Sequence, residues 1–220
     1  MQIKYVGHSC FKISDSETAY SIVFDPYADA AVPGYTNVRE SANEVLCSHQ
    51  HDDHNAVECV TIEPNTDSPF EIDWIDTYHD PEKGALRGEN RIYIVTNKKT
   101  GEKLIHYGDI GEVLDVLLTD ENLAKLKDAD LALIPCGGVF TYDIDEALEL
   151  ISRTTPKLVI PMHARSEKSG YDYPVIDTRE NFFKAAKDKG YSLIIDEGSL
   201  ADSEQAIGKS DILALEPTNI

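Results

Sequence analysis

The segment Ser48-His49-Gln50-His51-Asp52-Asp53-His54 packs imidazoles and carboxylates into a few residues, in the pattern H-x-H-x-D-H, directly after an apolar run that ends at Cys47. Neutral imidazoles with a carboxylate are what a borderline-soft divalent ion such as zinc prefers. A tight loop at a strand end lets such side chains converge, where an extended strand sends alternate ones to opposite faces. One tetrahedral ion does not comfortably take His49, His51, Asp53 and His54 together, whereas two neighbouring ions can, with His49 and His51 on one and Asp53 and His54 on the other. A loop rich in histidine by accident needs no support elsewhere, but support is present. Tyr78-His79-Asp80, Tyr107-Gly108-Asp109 and Met162-His163-Ala164 each put a metal-capable side chain just past an apolar stretch, as His49 itself is placed.

The elements that must position these groups are readable from periodicity. Residues 3–6, 10–14 and 20–24 read as successive strands of a meander running into Asp25-Pro26, and residues 44–47 as a brief apolar strand before the histidine loop. Between them, residues 27–42 contain Pro33-Gly34 and mostly polar or small neighbours, and read as a loop long enough to be a lid or a binding edge. Residues 71–77, 91–97 and 103–107 follow as strands, the last two joined by Lys98-Lys99-Thr100-Gly101 as a hairpin. After Asp109 helical spacing alternates with wholly apolar strands at 131–134, 158–160 and 193–195. One helix is expected from Asp143, capped by Asp143 and Glu146 and ending before Pro156; another from Thr178 to a left-handed stop at Gly190. A meander followed by β-α units suits a two-sheet sandwich with helices outside better than one doubly wound sheet.

The whole chain of 220 residues is expected to form one domain. Its formal charge of -20 repels phosphate backbones and anionic lipid heads, so nucleic acid and membranes are poor partners and a small-molecule substrate is expected. The N-terminal stretch does not read as a signal peptide and no stretch is long enough to span a bilayer. Cys10, Cys47, Cys59 and Cys136 are dispersed without CxxC spacing, which fits reduced thiols in a cytoplasm. Oligomeric state is open, a homo-oligomer included.

Further segments join the histidine loop in one order along the chain: Val6-Gly7-His8-Ser9-Cys10-Phe11, Phe24-Asp25-Pro26, His79-Asp80 with Arg87-Gly88-Glu89-Asn90, His106-Tyr107-Gly108-Asp109-Ile110-Gly111, Ile134-Pro135-Cys136-Gly137-Gly138 and Ile160-Pro161-Met162-His163. This series resembles the metallo-β-lactamase superfamily, in particular its ascorbate-6-phosphate lactonase-like branch, over nearly the whole length. The resemblance implies a four-layer αββα sandwich and a binuclear site at the edge where strand-end loops meet. His49, His51 and His79 would hold one divalent ion, Asp53, His54 and His163 the other, and Asp109 would bridge them. Zinc is the expected metal, with manganese as the alternative. Neutral imidazoles cannot balance four positive charges, so Asp53, Asp109 and a bridging hydroxide are the required counter-charges.

His8 and His106 are left over; both are read as hydrogen-bonded structural histidines supporting the site, and His106 is the rival of His79. Asp25 is read as accepting an imidazole N–H, and Cys136 and Cys47 as packed thiols. The implied reaction is hydrolysis of an ester, lactone or phosphodiester by a hydroxide made nucleophilic at neutral pH, with Asp53 positioning it or taking the proton, and Asp53 and Asp109 as the catalytic carboxylates. Arg39, Arg87, Arg165 and Lys168 are the cations, and Tyr35, Phe140, Tyr171 and Tyr173 the aromatics, that loop logic brings nearest an anionic substrate. A diiron redox enzyme of the same fold carries a carboxylate where this chain has His51. A non-catalytic metal-binding member of the fold is the remaining alternative, and it sits poorly with a complete ligand set.

Overall fold

The structure, a computed structural model, describes residues 1–64, 67–166, 175–196 and 198–220. The chain runs through β1 (Gln2–Gly7), β2 (Cys10–Ser14), β3 (Ser21–Phe24), β4 (Glu40–Ala42), β5 (Glu44–Leu46), a 3-10 turn (Val57–Cys59), β6 (Val60–Ile62), β7 (Phe70–Tyr78), β8 (Glu89–Asn97) and β9 (Lys103–His106). It continues with α1 (Leu114–Leu117), α2 (Asp120–Leu126), β10 (Leu131–Pro135), α3 (Ile144–Thr154), β11 (Val159–Met162), α4 (Arg179–Asp188), β12 (Leu193–Ile195), β13 (Leu200–Asp202), α5 (Ser203–Ala206) and β14 (Ile212–Ala214). The strands form a sheet ordered β13-β1-β2-β3-β5, a second ordered β12-β14-β11-β10-β9-β8-β7, and a small β4-β6 pair.

Side-chain alternation explains why the two larger sheets stack. Ile3, Phe11, Ile22 and Phe24 of the first sheet meet Tyr93, Val95, Leu131, Leu133 and Ile160 of the second in one buried cluster. Their neighbours Ile92, Ile94, Ala132, Ile134 and Val159 point the other way, under the buried faces of α1 to α4. Both faces of the larger sheet are therefore apolar, which is why its central strands read as unbroken hydrophobic runs. The expected capping box is present: Glu146 N donates to Asp143 Oδ1 and Asp143 N to Glu146 Oε2, each at 2.9 Å. α4 is capped by Thr178, and Gly190 follows it with a positive φ of 93°.

The outer face of the five-stranded sheet differs from the expected helical layer. Val6, Cys10 and Val23 are covered there by Tyr27, Val32, Tyr35 and Val38, with Ala42 of β4 and Val60 of β6. Residues 27–42 are thus a packed layer instead of a lid, because these apolar side chains, spaced without a regular period, all turn inward. Among the described residues, no helix is long and apolar enough to cross a membrane.

Candidate metal centre

β1, β3 and β5 share one direction, as do β7, β9 and β11, since each pair is either parallel or separated by an antiparallel neighbour. The residues that follow their C-terminal ends are His8, Asp25, the 47–54 loop, His79, the 107–109 turn and His163. One rim of the sandwich thereby collects every group singled out for metal binding. The backbone there is bent sharply, with positive φ at His8 (56°), Asp25 (43°) and His163 (50°). Non-glycine residues adopt that region at a cost of order 1 kcal/mol or more, and surrounding packing must hold them in it. Gly108 (φ 57°) has no alternative, because a Cβ would lie 2.3 Å from Asn90 Oδ1 and 2.5 Å from Ser48 Cβ.

Asp25, fully buried, organises the histidine loop. Its Oδ1 accepts from Ser48 N at 2.6 Å, and its Oδ2 accepts from Ser48 Oγ at 2.6 Å and from His54 Nδ1 at 2.8 Å. Because a carboxylate only accepts, the Ser48 hydroxyl proton is committed to it, and the Ser48 oxygen is left to accept from His49 Nδ1 at 2.9 Å. Both rings carry a proton on Nδ1 and direct Nε2 to the interior. Burial disfavours the Asp25 carboxylate, but His106 and His54 outweigh it and hold its pKa below the ordinary value. Burial, reinforced by His54, pushes His49 down to about 3, so that ring is neutral at neutral pH, as a ligand must be.

Asp109 stands at the centre. Its Oδ2 lies 3.2 Å from His54 Nε2, 3.1 Å from His79 Nε2 and 3.0 Å from His163 Nε2. Burial opposes its ionisation, yet attraction to His163 and His54 holds its pKa well below the carboxylate range. The backbone is fixed by Asn90, whose Oδ1 accepts from Asp109 N at 2.9 Å while its Nδ2 donates to Tyr107 O and Thr77 Oγ1. His49, His51 and His79 bring one ligand atom each within 4.8 Å of one another, as do His49, His54 and Asp109, and His8, Asp53, His54 and His163. His49 Nε2 and Asp109 Oδ1 are buried and have no hydrogen-bond partner among the described residues. Such atoms are expensive to bury, and one carboxylate oxygen facing three imidazole nitrogens calls for cationic charge between them. The donor set therefore fits divalent metal.

His8 and His106 separate cleanly. His106 Nε2 donates to Ser9 O at 2.9 Å and its Nδ1 accepts from Gly108 N at 3.1 Å, so both nitrogens serve the backbone while the ring stacks on Phe24 at 4.9 Å. His8 Nε2 lies 3.2 Å from Asp53 Oδ2 and its ring packs 4.2 Å from that of His163. With Asp53 ionised, that nitrogen donates, and His8 orients the carboxylate. Ser48 and Asn90 went unremarked in the sequence as organisers of the site; their contacts are to residues far along the chain and leave no local spacing to read.

A cavity of about 280 Å³ opens onto the cage, lined by His51, Asp53, His79, Leu86, Arg87, Asp109, Phe140 and His163. Of the expected cations and aromatics, Arg87 and Phe140 line it. Arg39 instead pairs with Asp29 at 3.0 Å, Arg165 Nε donates to Ile176 O, and Tyr35 is packed beneath the five-stranded sheet. Lys168, Tyr171 and Tyr173 lie outside the described residues. Burial raises the thiol pKa of Cys47 to about 12 and that of Cys136 beyond it, which suits packed thiols and not nucleophiles.

A family model described as the beta-lactamase superfamily domain matches residues 2–163, a span that contains every residue of the cage. The chain belongs to the metallo-β-lactamase superfamily. Within that superfamily it is 29% identical to a UPF0173 metal-dependent hydrolase of Nanoarchaeum equitans, over 89% of this chain and 96% of the relative. The fold is similar to a crystal structure from Thermotoga maritima, of a protein assigned to the Zn-dependent hydrolases of the metallo-β-lactamase superfamily, with a TM-score of 0.73, 24% identity and 99% coverage of both chains. It is also similar to Igni18, a metallo hydrolase from Ignicoccus hospitalis, with a TM-score of 0.61, 20% identity and coverage of 86% and 91%.

Proposed function

We propose that this member of the metallo-β-lactamase superfamily is a metal-dependent hydrolase that opens an ester, lactone or phosphodiester bond in a small anionic substrate. The observation that carries the reading is the single Asp109 oxygen set within 3.0–3.2 Å of three imidazole nitrogens at the floor of an open cavity. His49, His51 and His79 would hold one divalent ion and Asp53, His54 and His163 the other, with Asp109 between them. Zinc suits the nitrogen-rich set best, and manganese is the alternative. Such a pair, when bound, supplies Lewis acidity and hydroxide at neutral pH, lowering the acidity constant of water from about 15.7 towards ~7.

The chain's own residues do the rest. Asp53, on the cavity wall and held by His8, is placed to accept a proton from the attacking water or to steer it. Asp25, through His54 directly and His49 by way of Ser48, fixes the tautomers that present Nε2 inward. Neither thiol near the site suits a protein-derived nucleophile, since Cys136 is buried, Cys47 is half-buried, and burial raises both pKa values. The resemblance of the sequence motifs to ascorbate-6-phosphate lactonase-like proteins is the reason to try lactones first.

The test is elemental analysis of the purified chain, then assay with a panel of nitrophenyl esters, lactones and bis(4-nitrophenyl) phosphate. Two zinc or manganese ions per chain with chelator-sensitive turnover is the expected result. A chain loaded with two ions that leaves the entire panel intact would reject the hydrolase reading.

A further inference from the structure

Arg87 differs from most arginines of this acidic chain. Arg39, Arg91, Arg153 and Arg179 each meet a carboxylate: Asp29, Asp76, Asp115 and Glu216 respectively. Among the described residues the Arg87 guanidinium makes neither an ion pair nor a hydrogen bond, although acidic residues number 40 against 20 basic ones. It lies on the wall of the metal cavity, with its carbon 5.5 Å from the centre of the Phe140 ring. Leu86 beside it lines the same cavity and is 66% exposed, so its apolar surface is open to whatever enters there.

The loop that presents Arg87 is built to hold it still. Asp80, the residue after His79 and fully buried, accepts four backbone N–H bonds: from Glu82 at 2.8 Å, Gly84 at 3.1 Å, Leu86 at 3.1 Å and Arg87 at 2.7 Å. Gly88 N closes the loop on Gly84 O at 2.9 Å, and Gly88 O accepts from His79 N at 3.1 Å. Gly84 needs its positive φ of 79°, since a Cβ would meet Gly88 O and Tyr78, each at 2.9 Å. The backbone of Arg87 is therefore tied through one carboxylate to the residue that follows the His79 ligand. With its backbone fixed and its guanidinium over the Phe140 ring, Arg87 presents charge from one part of the cavity wall, which is how a site selects substrates by where they carry charge.

We propose that Arg87 is the specificity subsite for an anionic group of the substrate, a carboxylate or a phosphate, lying beside the bond to be cleaved, with Leu86 and Phe140 covering the apolar part between them. The inference rests on the hydrolase reading and narrows it: the substrate is an ester or lactone that bears its own negative charge. Elsewhere the surface repels anions, so the attraction is local to this wall.

Two matched pairs test this with the metal-loaded full chain. For carboxylate the pair is mono-4-nitrophenyl glutarate against 4-nitrophenyl butyrate; for phosphate it is 6-phosphoglucono-δ-lactone against glucono-δ-lactone. Arg87→Gln is expected to lower the anionic-to-neutral ratio of kcat/KM by roughly 10- to 100-fold in at least one pair, through KM and not kcat. The pair that moves identifies the anion. Ratios unchanged in both pairs overturn the subsite. If the wild type turns over none of the four compounds, its action on esters and lactones is what fails, and calorimetric titration with methyl phosphate and with glutarate then judges the subsite alone. Binding at least tenfold weaker in Arg87→Gln for either anion upholds it, and equal affinities for both reject it.

Discussion

The two halves of the cage are anchored unequally. On the inner side, around the ion assigned to Asp53, His54 and His163, His54 is gripped through Nδ1 by the buried Asp25, and Asp53 is held by His8. On the outer side His49 is anchored to Asp25 at one remove, by way of Ser48, while His51 is exposed and His79 Nδ1 is buried with no hydrogen-bond partner among the described residues. A ligand whose second nitrogen is fixed keeps its tautomer and aim, while one without that anchor must rely on packing. The contrast teaches that the ion held by Asp53, His54 and His163 should be bound the more tightly, and that the ion on His49, His51 and His79 should exchange first.

The largest effect is expected where the two halves share a ligand. Asp109→Ala should strip both ions and lower kcat/KM by about a thousandfold or more; a variant with two tightly bound ions and full turnover would show the bridge lies elsewhere. Next, His79→Ala should leave one ion per chain by elemental analysis, the inner one. His106→Ala should keep two ions while costing roughly 2–4 kcal/mol of stability in denaturant titration. The reverse pattern would exchange the roles of these two histidines. Asp25→Asn should weaken metal binding roughly 10- to 100-fold in chelator competition, and an equal loss at both ions would erase the proposed asymmetry.

The smallest effect belongs to the outer loop. Burial opposes ionisation of Asp80, but backbone N–H bonds from Arg87, Leu86, Glu82 and Gly84 override it and lower its pKa from 3.8. A depressed folded-state value stabilises the fold above the unfolded value, and the contribution fades as pH falls through the folded one. Thermal midpoints of wild type and Asp80→Asn should therefore differ at pH 7 and draw together below pH 3.8, and a gap independent of pH would mean that Asp80 is not ionised in the fold.

The sequence showed the ligands of both halves better than the groups that hold them. The histidine loop was legible because His49, His51, Asp53 and His54 are close in the chain, and His79, Asp109 and His163 because each follows an apolar strand. The strands flanking the 98–101 hairpin and the helices after Asp143 and Thr178 were legible from periodicity and caps, and the structure has them within a residue or two. Short elements such as β4, β6, β13 and α5 are too brief to show a period. Residues 27–42 misled for a related reason, since Tyr27, Val32, Tyr35 and Val38 bury themselves without helical or strand spacing. The Asp80 loop was invisible as a device, because its bonds run from one side chain to backbone groups that any residue carries.

With six strands ending at the same rim, the protein separates its chassis from its tooling. The stretch between Asp80 and Gly88 begins and ends beside the same ligand, His79, and its ends are joined by a backbone bond from His79 N to Gly88 O. Exchanging residues 81–87 for a segment of another length is expected to leave the sheets and the cage intact when the new segment again donates backbone N–H groups to Asp80. Such a graft is expected to transplant the preferences of its donor, which makes this short span the cheapest place for descendants of the chain to acquire new substrates.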